Sequence, residues 1–78
     1  MMNIDVIKDW TTAKIPVQRG DSCDVRYQVF QNGTQLYQEI RDIDDNPIQT
    51  LELPKGMLMD ERSYEVLCRY VLADVVNS

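Results

Sequence analysis

The stretch Cys23–Asp42, CDVRYQVFQNGTQLYQEIRD, constrains this chain more than any other part of it. Apolar and polar residues alternate on both sides of Asn32-Gly33. Asn-Gly between two alternating runs is a strong hairpin signal, because a two-residue type I′ turn needs positive φ at both central positions. A turn centred there sets Val29 opposite Leu36, Tyr27 opposite Gln38 and Val25 opposite Ile40. One face then carries Val25, Tyr27, Val29, Leu36 and Ile40, and the other pairs Arg26 with Glu39 and Asp24 with Arg41. A slip of one residue would turn the whole apolar set to the solvent side.

The flanking segments read as cover for that apolar face. Residues 3–12 have a helical pattern: Asn3 suits an N-cap, Asp5 the first turn, and Ile4, Ile7 and Trp10 fall on one stripe. Trp10 is expected to anchor this helix in the core, the alternative being an exposed recognition tryptophan. Residues 13–19 contain Pro16 and read as an edge strand or extended lead-in. A three-residue loop, Gly20-Asp21-Ser22, would set Val17 opposite Val25 and Ile15 opposite Tyr27. After the hairpin comes a polar turn, Ile43–Ile48, and a strand, Ile48–Leu53, with Ile40 meeting Leu51 and Gln38 meeting Leu53. Pro54-Lys55-Gly56 ends the sheet. A final helix runs from Met57 or Asp60 to Val76, with Tyr64, Leu67, Cys68, Val71 and Val75 as its core stripe. The fold class is α+β: a short N-terminal helix, a three- or four-stranded antiparallel β-meander and a long C-terminal helix packed on the sheet, in a single domain over residues 1–78.

Several classes of chemistry lack their residues. The chain has no histidine, so catalytic triads and histidine metal sites are absent. Cys23 and Cys68 are too far apart in sequence for zinc-ligand spacing and are expected to be reduced, a Cys23–Cys68 disulfide being the lesser alternative. The three glycines sit in turn sequences and build no phosphate loop. Asp42-Ile43-Asp44-Asp45-Asn46-Pro47 has oxygens where a calcium loop begins, but Pro47 and Leu53 stand where that loop needs glycine and glutamate. Neither an enzyme, a cofactor nor a bound metal is therefore expected. The start of the chain lacks the basic, apolar pattern of an export signal, and no run is long enough to span a membrane, so a cytoplasmic protein is expected.

The net charge is −5, and it is local: residues 39–65 hold eight acids and three bases. An acidic chain without a basic patch is not expected to bind nucleic acid or an anionic membrane directly. Its carboxylates could instead occupy arginine and lysine pockets that hold a nucleic-acid backbone on a partner protein. The candidate partner-binding residues are Glu39, Asp42, Asp44, Asp45, Glu52, Asp60 and Glu61. The final helix is apolar on more sides than one stripe requires, so a second reading makes Tyr70, Leu72 and Val76 a homodimer or partner face of a small structural or regulatory module.

The element order resembles the small acidic anti-CRISPR proteins of phages and mobile elements. One branch of these begins Met-Asn-Ile and continues through a meander with an Asn/Gly turn to a C-terminal helix. Here Met2-Asn3-Ile4-Asp5, the Gly20-Asp21-Ser22 loop and Val29–Gly33 follow that order. The resemblance implies a non-catalytic inhibitor acting in a bacterial host cell. It would bind a nucleic-acid-handling effector complex, with acidic residues blocking a DNA- or RNA-binding site. It assigns no site residue, and those above come from charge alone.

Overall fold

A computed structural model describes residues 4–18, 20–54 and 60–76. Four strands, β1 (Ile4–Gln18), β2 (Asp21–Asn32), β3 (Gln35–Asp42) and β4 (Pro47–Leu53), form an antiparallel sheet in chain order, followed by one helix, α1 (Glu61–Val76). The α+β class, the antiparallel meander and the C-terminal helix agree with the sequence.

The N-terminal helix does not. Residues 4–12 form the first part of β1, and Asn3, its expected cap, lies outside the described residues. The strand shifts register between Val6 and Lys8 and again between Lys8 and Thr11. Each extra residue breaks the two-residue alternation of a strand. Apolar residues then recur at a spacing of three, which imitates a helix.

The first turn is also tighter than expected. Ile15 pairs with Cys23 and Ala13 with Val25, and a further register shift between Pro16 and Gln18 keeps Ala13 and Ile15 on the core face. Gly20 takes a φ of 72° in that turn. The side chain of Val17 lies outside the described residues.

The central hairpin keeps its faces but not its pairing. Asn32 pairs with Gln35, so the turn is Gly33-Thr34, and Gly33 alone of its two central residues has positive φ, at 65°. That is the type II′ pattern, with glycine first. Tyr27 now meets Ile40 and Val29 meets Gln38. A displacement by two leaves every side chain on its own face. It brings Phe30 directly opposite Tyr37, where the rings stack with centroids 5.4 Å apart, and such cross-strand aromatic pairs stabilise a hairpin. The next pairing moves likewise: Leu36 meets Leu53 and Gln38 meets Leu51.

The core lies between one sheet face and α1. Val25, Tyr27, Val29, Ile40, Ala13, Ile15 and Leu53 meet Tyr64, Cys68, Val71 and Leu72 there. Of the predicted helix stripe, Tyr64, Cys68 and Val71 are buried and Leu67 is partly so, while the Val75 side chain lies outside the described residues. Asp60 caps the helix: its carboxylate accepts the Ser63 N–H at 2.9 Å and the Ser63 hydroxyl at 3.0 Å. These bonds hold the Asp60 carboxyl below the usual carboxylate range. Of the two starts expected for this helix, the one at Asp60 agrees with the structure, and Met57 lies outside the described residues.

One polar side chain enters this core. Gln38 is fully buried and donates from Nε2 to the Tyr64 carbonyl at 3.0 Å and to the Cys68 sulfur at 3.4 Å. It ties β3 to the second turn of α1, and a buried hydrogen bond of this kind fixes where a helix sits on a sheet.

Candidate functional site

Among the described residues α1 is the only helix, and it covers one face of the sheet. The opposite face is open. Paired residues of an antiparallel sheet project to the same side, so the open face can be read from the register. One row across it is Val6, Phe30, Tyr37 and Glu52; Ile4 and Asn32 pair at its end. Ile4 and Val6 are more than half exposed. A second row holds Thr12, Arg26 and Arg41, and between the two rows lie Gln28, Glu39 and Thr50.

Trp10 belongs to this face and not to the core. The Arg26 and Arg41 guanidiniums each lie 5.3 Å from the centroid of its ring. Arg26 and Arg41 are direct cross-strand partners, which alone would repel. Their charges are offset from two sides. Asp45 reaches Arg41 Nη1 at 3.2 Å and Arg26 Nη1 at 3.5 Å. Glu39 Oε2 accepts from both Arg41 Nε at 3.0 Å and Nη2 at 2.8 Å, two charge-assisted bonds on one oxygen. The Glu39 hydrogen bonds, first among the causes, raise the Arg41 pKa further above its ordinary value. Each cation–π contact contributes about 0.5–1 kcal/mol at a site this exposed.

The Asp42–Asn46 turn sets the position of Asp45. Asp42 Oδ1 accepts the N–H groups of Asp44 at 2.9 Å and Asn46 at 2.8 Å, and Oδ2 accepts the Asn46 amide at 3.2 Å. Those bonds, led by the Asn46 N–H, lower the Asp42 pKa. Asp45 is thereby held at a φ of 69° with its carboxylate over the two arginines.

The seven acidic candidates therefore fall into separate groups. Glu39 and Asp45 serve the arginine cluster, and Asp42 serves the turn. Glu52 is exposed on the open face beside Tyr37, and Asp44 is exposed on the adjoining turn; neither joins an ion pair among the described residues. Asp60 and Glu61 start the helix on the covered side, where Glu61 bonds Lys8 at 2.9 Å. Of the helix-face candidates, Tyr70 is 72% exposed, Leu72 is buried in the core at 4%, and the Val76 side chain lies outside the described residues. The predicted charge pairs of the hairpin, Arg26–Glu39 and Asp24–Arg41, give way to the Asp45 and Glu39 contacts of the observed register.

Sequence reasoning did not find the Trp10 cluster or the Val6–Phe30–Tyr37 row. The signal for the row was present: Phe30 and Tyr37 both belong to the polar phase of an alternating hairpin. The two edges are less inviting. β1 carries its register shifts together with Lys8, Lys14 and Pro16, and β4 is short, begins at Pro47 and is followed by Pro54. Such features discourage pairing with another strand.

Both cysteines are free thiols. Among the described residues no cluster of three or more Cys, Asp or Glu is placed to hold a metal ion, and no helix is long and apolar enough to cross a membrane. The chain matches no protein-family model, no curated protein and no solved structure.

Proposed function

We propose that this protein is a non-catalytic binding protein, an inhibitor that lays the open face of its sheet against a basic, nucleic-acid-binding surface of a bacterial effector complex. The observation that carries this reading is the composition of that face. An apolar and aromatic strip, Ile4, Val6, Phe30 and Tyr37, shares this face with Trp10 of the arginine cluster; the exposed carboxylate of Glu52 ends the strip's row, and that of Asp44 stands on the turn beyond the arginines. Aromatic anchors with a charged rim are the usual anatomy of a protein interface. Glu52 and Asp44 are the acids available to meet a partner's lysines and arginines, whereas Glu39 and Asp45 already hold Arg41.

The test is co-purification of a tagged chain from a bacterium carrying several defence systems, in moderate salt. The expected result is recovery of a nucleic-acid-binding complex that is lost at high salt. It should also be lost with Asp44→Lys/Glu52→Lys, which leaves the arginine cluster intact. Recovery of the same complex by that double variant would remove the charge argument. Recovery lost with Val6→Glu but kept with the charge variant would leave an apolar interface of a different kind.

A further inference from the structure

The outward side of α1 differs from the rest of this acidic molecule. Val66 and Ala73 stand two turns apart, with Tyr70 between them, and Val66 is 46% and Tyr70 72% exposed. With Arg69 they line a shallow groove of about 320 Å³. A second groove, about 230 Å³, lies on the β1 side of Val66, where Lys14, Ile15 and Pro16 face Arg62, Glu65 and Arg69. Val66 and Arg69 line both grooves.

Charge gives this surface a direction. The chain has eight bases in all and a net charge of −5. Lys8, Arg26 and Arg41 are bound to carboxylates. Arg62 and Arg69 are exposed, join no ion pair among the described residues, and line the grooves, where Glu65 is the one acid among the described lining residues. Two free arginines beside an apolar floor, on a protein otherwise rich in carboxylates, complement an anionic ligand with an apolar side. A second copy of this chain fits less well, because two such helices side by side and antiparallel would bring Arg62 of each copy toward Arg69 of the other.

We propose that this side of the molecule docks an acidic, amphipathic peptide segment of a protein partner. Its carboxylates lie on Arg62 and Arg69, and its large apolar side chains rest on Val66 and Tyr70. This is helix-in-groove or short-peptide recognition, on the opposite side of the sheet from the open face and independent of it. The protein would then join two partners of opposite charge.

The experiment selects a phage-displayed random peptide library on the immobilised full chain and measures the enriched peptides by fluorescence anisotropy. The expected winners place Asp or Glu around Leu, Phe or Trp. Their affinity should fall at least about tenfold with Arg62→Glu/Arg69→Glu and with Val66→Glu, and stay unchanged with Asp44→Lys/Glu52→Lys. Val66 and the two arginines are exposed, so the helical circular dichroism of these variants should match the parent; should Val66→Glu unfold, the arginine pair carries the test. Neutral or basic winners, no winners, or binding indifferent to both sets of variants would overturn the proposal. So would sedimentation of a dimer that Val66→Glu dissolves, or arginine-dependent binding to phosphatidylglycerol vesicles in place of peptides.

Discussion

The two faces of this sheet are made from alternate residues of the same strands, yet they are held by different physics. On the covered face Val25, Tyr27, Val29 and Ile40 are wholly or almost wholly removed from water. Their contribution scales with apolar area and is about 1.5–3 kcal/mol for each large side chain. On the open face Arg26, Arg41, Trp10, Glu39 and Asp45 hold one another in place while remaining partly wet. Exposed ion pairs contribute only about 0–1 kcal/mol each. The covered face supplies the stability. The open face gains order without much stability, so its residues can be exchanged or engaged by a partner while the fold remains.

The largest effect expected from this contrast is at Ile40. Ile40→Ala opens a cavity in the covered face and should cost about 2–5 kcal/mol. In a chain of 78 residues that is most of the folding free energy. Loss of the cooperative thermal transition, or a much lower urea midpoint, is the expected outcome. A midpoint close to the parent's would mean that the core closes elsewhere.

The second prediction concerns alkaline pH and acts on the covered face alone. Burial pushes the Tyr27 hydroxyl from 10.0 up to about 12 and the Cys68 thiol from 9.0 up to about 12. The folded chain keeps both protons where the unfolded chain has released them. Stability is therefore complete below about pH 9 and is lost as pH rises toward about 12. Urea midpoints at about pH 8 and about pH 11 should show this fall, and Tyr27→Phe/Cys68→Ala should flatten it. An equally steep fall in the double variant would assign it to other groups.

On the open face, Trp10→Ala removes both cation–π contacts and should cost about 1–2 kcal/mol. The fold should persist, with a modest loss in urea midpoint. A loss as large as that of Ile40→Ala would erase the distinction between the faces.

The smallest effect is expected where the covered face contains a flaw. The Tyr27 hydroxyl is buried and has no hydrogen-bond partner within the described residues. Tyr27→Phe at neutral pH should change stability by no more than about 1 kcal/mol, in the stabilising direction, because an unsatisfied polar group is removed and the ring stays. A clear destabilisation would show that a water molecule serves that oxygen.

What the sequence made legible follows the same division. The covered face was read from period-two alternation in residues 23–42 and from the helix stripe Tyr64, Cys68 and Val71, since burial leaves a periodic mark. Register was less legible. Asn32-Gly33 and Gly33-Thr34 both make two-residue turns on the same faces, and the choice rests on Phe30 meeting Tyr37, a contact between strands. The edge strand expected after residue 12 agrees with the second part of β1, whereas its first part imitates a helix because Ile4, Ile7 and Trp10 fall at a spacing of three across the register shifts. The acidic candidates were identified by type, but their roles depend on distances: Asp42 turns inward, Asp45 clamps arginines, and Asp44 stays outside. Composition cannot separate these.

The bond between Lys8 and Glu61 joins residues 53 positions apart, and Gln38 reaches 26 positions ahead to Tyr64. Chain order therefore matters while the protein is being made. The meander leaves the ribosome first, with Val25, Tyr27 and Ile40 still uncovered, and the helix that shields them arrives last. Closure across such separations is slow. The newborn sheet must spend that interval with a greasy face toward water, and its bulged, proline-marked edges then protect it from pairing with its neighbours.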